Sequence, residues 1–246
     1  MRWRLVEMEE LSPHEALALE EVAHRSVSDG GDPIIRFWRW DRRAVTIGSF
    51  QNLEDEVHAD RCEEEGIPII RRISGGGTMY HEPKKEFVFS LTAPPGILSR
   101  KIPESYRQVL DPVRRGLKSL GIDSKIEQNN LMVKNKKISG SSQRRGARAI
   151  LHHGTLLYNA DQKIMLRYIR GDQIIRSGKG TSSRYREVTS VSDQVDVTMD
   201  DVYRAVKESL LEGKNTYSHE WSEEELDKAR DLIGSRYGNE DWNKKL

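Results

Sequence analysis

A chain of 246 residues can bury one sizeable core, as a single large domain or as a domain with a small appendage. Its 40 Lys and Arg against 39 Asp and Glu exclude the global positive field of a general nucleic-acid binder. One cysteine, Cys62, excludes an internal disulfide and a multi-thiolate zinc site; with no apolar leader and no long apolar run, the expectation is a cytoplasmic protein without a membrane span.

Strand character marks residues 2–7, 34–40 and 44–47. Between the first two, Ser12-Pro13-His14-Glu15 supplies an N-cap, a proline at the first helical position and the glutamate of a capping box. Ala16, Leu19, Ala23 and Val27 then recur at helical spacing until Gly30-Gly31 stops the run. A polar helix is predicted over Leu53–Glu65, a buried strand over Ile67–Arg71 that enters a glycine loop, and a further strand over Glu86–Leu91. From Pro103 to Leu120 one apolar stripe predicts a helix, with Pro112 kinking it or loosening a turn. Strands are expected at Ile122–Ile126, Leu131–Val133, Lys137–Ser139 and Ile150–Tyr158. Gly171–Arg186, poor in apolar residues, reads as a mobile surface loop of the kind that closes over a ligand. Two helices end the chain, one starting near Thr198 with Asp201 as its box acid, the other pairing Ser222 with Glu225. Strands and helices mixed in this irregular order predict an α+β or mixed α/β domain around a large sheet.

Three constellations carry chemistry. In Arg71–His81 (RRISGGGTMYH), three successive glycines after a strand let backbone N–H groups approach a ligand, and the adjacent arginines suit phosphate or carboxylate oxygens. The alternative is a flexible hairpin tip with incidental arginines. No Walker A or GxGxxG order is present. In the second, Asn129–Val133 precedes Lys136–Arg145, and alternation puts Lys137 and Ser139 on one face of a short strand. A lysine fixed there can stabilise charge on a reacting carboxylate and phosphate by roughly 3–4 kcal/mol in a preorganised site. A surface strand with two solvated lysines is the plainer alternative. The stretch from Lys134 to Arg148 holds six cations and no acid, which suits an anion or a solvated basic face. In the third, His152 and His153 lie on one strand and point to opposite faces, so they do not chelate one metal together; one is expected in the wall, the other at the surface or lining a pocket.

RRISGGGTMYH, followed by Asn129-Asn130-Leu131, KKISG (136–140), SSQRR (141–145) and HHGTLLYNAD (152–161), resembles the lipoate-protein ligase A family in order and spacing. The likeness runs from about Arg36 to Asp161, and more weakly to a closing Tyr237–Trp242 segment. It implies a fold shared with biotin-protein ligases and class II tRNA synthetases: one catalytic domain over residues 1–246, a large mixed sheet flanked by helices, and C-terminal helices at about 198–242. The implied activity has two halves. Lipoate and Mg·ATP give lipoyl-adenylate, which is then passed to a lysine of a carrier, either a 2-oxoacid dehydrogenase lipoyl domain or a glycine-cleavage H protein. By the same resemblance Lys137 is the essential lysine, touching both the lipoyl carbonyl and the α-phosphate. Arg72 reaches the nucleotide phosphates, Gly77, Thr78, Met79 and Tyr80 line the nucleotide site, and Ser74, Gly75, Gly76, His81, His153 and Gly154 join Lys137 at lipoate. Walls for the apolar tail are expected from Ile69-Ile70 and Leu156-Leu157.

The sequence departs from the family in three places. Asn130 stands where an aspartate usually precedes the lysine strand, so a Mg²⁺ contact at Asn130 is expected to be weaker or supplied differently. Glu82 replaces the usual acid after the loop histidine conservatively, and residues 179–189 match the adenylate loop only loosely. Only Asn243–Leu246 follow the closing Trp242, so no C-terminal accessory domain is expected and a separate small subunit would supply it. The rivals are an octanoyl or lipoyl transferase without ATP, many of which add a cysteine nucleophile, and a non-catalytic lipoate-binding module. Cys62, on the polar helix away from the KKISG and HHGTLL segments, reads as structural.

Overall fold

Strand β1 (Trp3–Leu11) leads into helix α1 (Pro13–Ser28), whose capping box forms as expected between Ser12 and Glu15. Strands β2 (Ile34–Trp40) and β3 (Ala44–Ile47) follow, then two short helices, α2 (Leu53–Glu56) and α3 (Ala59–Glu64), in place of the single predicted helix. The break falls at Val57-His58, where the His58 N–H leaves the helical pattern to donate to the Tyr168 carbonyl at 2.8 Å. Strands β4 (Ile69–Arg71), β5 (Met79–His81) and β6 (Glu86–Ala93) bracket the glycine loop, and β5 is a strand the sequence reading omitted. Helix α4 (Ile102–Ser119) continues through Pro112, whose carbonyl accepts the Ser209 hydroxyl at 2.8 Å.

Strand β7 (Lys125–Glu127) is shorter than predicted because Ile122 belongs to the helix exit, its N–H donating to the Leu117 carbonyl at 3.0 Å. Strands β8 (Asn130–Val133), β9 (Lys136–Arg145) and β10 (Ile150–Leu157) come next. Strand β9 extends far past the predicted Ser139, since residues 139–145 all find partners on β10. Helix α5 (Gln162–Tyr168), capped by Asp161, and strand β11 (Thr216–Ser218) were not predicted. Helices α6 (Met199–Leu211) and α7 (Glu223–Leu232) start at the expected Thr198–Asp201 and Ser222–Glu225 boxes; α8 (Glu240–Asn243) ends the chain. This computed structural model describes residues 1–171, 173, 174 and 177–246, so part of the predicted loop at 171–186 lies outside the described residues.

Eight strands form one mixed sheet in the order β11-β1-β2-β6-β10-β9-β8-β7, and β4-β3-β5 form a second, smaller sheet. This is the mixed α/β architecture expected from the sequence. The period of two divides β2 between two environments. Ile35 and Phe37 enter the core beneath α4 and α6, while Trp38 and Trp40 turn to the other face, with α1 and α7. Strand β10 divides likewise. His152 faces the α4 side, packed edge-on against Tyr106, and His153 faces the α1 side. Gly154 is required there: a Cβ on it would stand 2.3 Å from the Phe89 ring. The site develops on the α1 face. Among the described residues, no helix is long and apolar enough to cross a membrane.

Candidate functional site

A cavity of about 460 Å³ opens on that face between the large sheet, the small sheet and residues 181–186. Over β2 and β6 its lining is apolar, from Leu17, Trp38, Trp40 and Val88. These residues replace the predicted walls. Ile70 packs beneath Trp38 and Trp40, and Leu156 points into the opposite core. Towards β9 and the loops the lining is cationic, with Arg72, Lys137, Arg184 and Arg186. Among the described residues no Asp or Glu lines it.

The glycine loop is braced from behind by Arg72. Its Nη2 donates to the Gly75 and Gly77 carbonyls at 3.1 and 2.9 Å, its Nη1 to Thr46 Oγ1 at 2.8 Å, and its Nε to Ser74 Oγ at 3.3 Å. Gly76 takes φ +87°, a left-handed conformation that favours glycine, and a Cβ there would meet Ser142 Cβ at 2.8 Å. With the loop carbonyls turned to Arg72, the N–H groups of Gly76 and Gly77 have no acceptor among the described residues, and both residues line the cavity. Such paired free amides are an anion-binding arrangement.

Arg72 itself is buried and bonds only neutral oxygens. Burial, and secondarily the neighbouring Arg71, bring its pKa down to about 10. Lys137 is held by its backbone, which donates to the Glu187 carbonyl at 2.7 Å and accepts from the Thr189 N–H at 2.9 Å. Burial lowers its ammonium pKa most, Arg72 adds to this and Glu86 opposes it. Two desolvated cations thus face one cavity without a carboxylate in contact among the described residues. Their charge is left for a ligand.

Both pocket histidines sit between a carboxylate and a hydroxyl. His153 Nδ1 lies 2.7 Å from Glu20 Oε2, and its Nε2 lies 2.6 Å from Ser142 Oγ and 2.9 Å from Ser74 Oγ. His81 pairs with Glu86 through Nδ1 and with Thr46 Oγ1 at 2.8 Å through Nε2. The predicted residues Arg72, Gly76, Gly77, Thr78, Met79, His81, Asn130, Lys137, His153 and Gly154 therefore meet at one cavity. Ser74 lies buried behind the wall as a partner of Arg72, Gly75 accepts from the same guanidinium, and the Tyr80 ring turns away to stack on Tyr168 at 4.9 Å.

The sequence reading missed Thr46, Glu20, Glu86, Gln51 and Glu56. Glu20 had a signal, a charge lying on the apolar stripe of α1 beside Ala16 and Ala23; Glu86, at the head of a strand, had none. Gln51 and Glu56 pin the segment from 177 onward. Glu56 accepts from the Ser183 N–H at 2.7 Å and from Thr78 Oγ1 at 3.2 Å, Gln51 Nε2 donates to Ser183 Oγ at 2.9 Å, and the Phe50 carbonyl accepts from Thr181 N–H at 2.7 Å. These described residues lie at the surface, as expected, and these bonds tie them down beside the glycine loop. Beneath them a smaller cavity, walled by Met165, Leu166, Ile169 and Val188, shares Lys137 with the first.

Asn130, the residue implied for Mg²⁺, offers a neutral amide whose nitrogen donates to Asn129 Oδ1 at 3.3 Å. Among the described residues no carboxylate joins it in the cavity lining, and no group of three or more His, Cys, Asp or Glu is arranged to hold a metal. Mg²⁺ is ordinarily held by one or two carboxylates plus substrate phosphates, so these residues do not fit a protein-held ion.

A model of the lipoyl protein ligase A/B catalytic domain matches residues 12–211. Lipoate-protein ligase A subunit 1 of Thermoplasma acidophilum is 32% identical, over 93% of this chain and 90% of its own length. The octanoyltransferase LipM of Bacillus subtilis is 24% identical, over 99% of this chain and 98% of its own. Among solved structures, a T. acidophilum protein with bound lipoic acid superposes with a TM-score of 0.85 at 28% identity, covering 100% of both chains. A lipoate-protein ligase A bound with ATP gives a TM-score of 0.85 at 29% identity, again over 100% of both.

Proposed function

The chain belongs to the lipoyl protein ligase A/B catalytic-domain family, and from that premise we propose that it is an ATP-dependent lipoate-protein ligase that forms lipoyl-AMP and passes the lipoyl group to a carrier lysine. The observation that carries the reading is the cavity's division: apolar over β2 and β6, cationic with no described acid over β9 and the loops. A fatty acid with a dithiolane tail fits the first half and a triphosphate the second.

In the first step a lipoate carboxylate oxygen bonds to the α-phosphorus and the bond to the bridging oxygen breaks, releasing pyrophosphate. Two anions must meet, and Lys137, which lines both the larger and the smaller cavity, supplies a cation where their charge accumulates. The free Gly76 and Gly77 amides and Arg184 take the phosphate oxygens, while the smaller apolar cavity beside Lys137 suits the base. In the second step the carrier lysine amine attacks the acyl carbon, the C–O bond to phosphate breaks, and AMP leaves as the amine loses a proton.

The names of several relatives favour a second reading, transfer of an octanoyl group from a carrier without ATP. A thiol intermediate does not suit this chain. Its only cysteine, Cys62, is fully buried in a cluster with Val45 and Ile47, outside the cavity lining, and burial raises its pKa to about 11. A structural neighbour from T. acidophilum is a bi-partite ligase described with its E2 lipoyl domain. By analogy this chain works on a lipoyl domain with a separate small subunit. Lipoate-dependent ATP–pyrophosphate exchange, with lipoyl-AMP recovered by mass spectrometry, tests the ligase reading. Absence of exchange alongside ATP-free acyl transfer from a carrier would replace it with the second.

A further inference from the structure

We propose that Glu20 and Glu86 are positioning residues for Arg72, each acting on it through an imidazole and a hydroxyl relay without touching the ligand. The inference deepens the adenylate-site reading above and rests on it for its kinetic consequences.

The direction of each hydrogen follows from counting donors and acceptors. Thr46 Oγ1 accepts from Arg72 Nη1 at 2.8 Å, and in the proposed relay it gives its own hydrogen to His81 Nε2, also 2.8 Å away. The ring N–H is then on Nδ1, which faces Glu86. In the other arm Arg72 Nε donates to Ser74 Oγ at 3.3 Å, and Ser74 Oγ lies 3.2 Å from Ser142 Oγ. His153 Nε2 has one lone pair; the nearer hydroxyl, Ser142 at 2.6 Å, fills it, which leaves Ser74 donating to Ser142. His153 Nδ1–H then donates to Glu20 at 2.7 Å. Every hydrogen has an acceptor, and both arms run with the same polarity from guanidinium to carboxylate.

The arrangement has an electrostatic reason. A carboxylate touching Arg72 would satisfy it and repel an anionic ligand. Set back behind an imidazole and a hydroxyl, the two carboxylates strengthen each bond of the chain by polarisation and leave positive potential in the cavity. Glu20 is 1% exposed; burial would raise its carboxyl, but the His153 hydrogen bond and the Arg36 charge hold it below the ordinary range. Fixed by both arms, Arg72 holds the Gly75 and Gly77 carbonyls and so keeps the loop amides turned outward.

The variants Glu20→Gln and Glu86→Gln keep size and a hydrogen-bonding carbonyl but remove the charge. Each is expected to raise the ATP KM in lipoate-dependent exchange about tenfold. Lipoate affinity, read from Trp38 and Trp40 fluorescence, should stay within about twofold. In a Ser74→Ala background Glu20→Gln should add less than about a twofold effect, whereas Glu20→Gln and Glu86→Gln together should multiply, because the arms are separate. Equal loss of lipoate and ATP affinity, or an undiminished Glu20→Gln effect without Ser74, overturns the proposal. A second readout is independent of the reaction. Long-range proton–nitrogen correlation of the histidine rings in the unmodified chain should show His81 and His153 as neutral Nδ1–H forms. An Nε2–H form or an imidazolium at either ring overturns the relay, even where exchange is absent and the ligase reading itself has fallen.

Discussion

Arg72 Nη2 donates to the Gly77 carbonyl at 2.9 Å, so the charge nearest the glycine loop is spent on shaping it as well as on attracting a ligand. A lysine cannot reproduce a fork that reaches Ser74, Thr46, Gly75 and Gly77 at once. We expect Arg72→Lys to weaken nucleotide binding by about 3 kcal/mol, roughly a hundredfold, through loss of two charge-assisted bonds. Calorimetric titration with ATP reads this directly. A change under about threefold would show that the loop holds its shape without the fork.

Lys137 makes a prediction with a sign in pH. Its ammonium attracts phosphate only while protonated, and burial has already brought its pKa below the lysine value of 10.5. Affinity for ATP should therefore be full at neutral pH and fall as pH rises through that lowered pKa, before an ordinary lysine would titrate. Lys137→Ala should weaken this dependence, leaving what Arg72 contributes near its own pKa of about 10, and reduce adenylate formation by about 10²- to 10³-fold. Affinity in the unmodified chain that stays flat as far as pH 10.5 contradicts the assignment.

Much of the frame was legible because local chemistry and tertiary packing agree there. Ser12, Thr198 and Ser222 each cap a helix with the acid three residues on, as the sequence requires. The omissions have physical causes. Strands β5 and β11 are three residues long, too short to show a period of two, and exist because β3 and β1 pair with them. Helix α5 carries Gln162, Lys163 and Arg167 on a seven-residue span, and beyond the Asp161 cap the docking of Met165 and Tyr168 fixes it. In the site, the glycine loop and Lys137 stood out because their residue types are unusual together. The apolar walls were misplaced because a run such as Ile69-Ile70 does not reveal which face meets the cavity. Glu86 was invisible because its partner, His81, lies across a turn on another strand.

The segment from 177 to 188 supplies a third test. Glu56 is 1% exposed, has no cation in contact among the described residues, and spends its carboxylate on Ser183 N–H and Thr78 Oγ1. Removing it strands the Ser183 N–H, since Thr78 Oγ1 keeps Gln51 Oε1 at 3.1 Å, and leaves Gln51 as the remaining side-chain tie to Ser183. Glu56→Ala should abolish slow hydrogen exchange at the Ser183 amide while leaving the β9 and β10 amides protected. Unchanged protection at Ser183 would mean that the backbone bond from Thr181 to Phe50 suffices.

The last test concerns the histidine on the far side of the sheet. His152 is fully buried, with Nδ1 3.1 Å from Gln143 Nε2 and no partner for Nε2, and burial foremost brings its pKa down to about 3. The unfolded chain takes up a proton at this ring near pH 6.5, but the folded chain refuses it until about pH 3. More protons are then bound by the unfolded state, so stability falls with falling pH through that window, by up to about 1.4 kcal/mol per pH unit from this one group. His152→Leu deletes that slope. At pH 7 the variant should be less stable by about 1 kcal/mol, because Gln143 loses its acceptor. On acidification the two denaturation curves should approach and cross, since only the unmodified chain then pays the proton cost. Urea titrations at pH 7, 5.5 and 4 decide it, and parallel loss of stability in both chains would show that His152 is protonated within the fold.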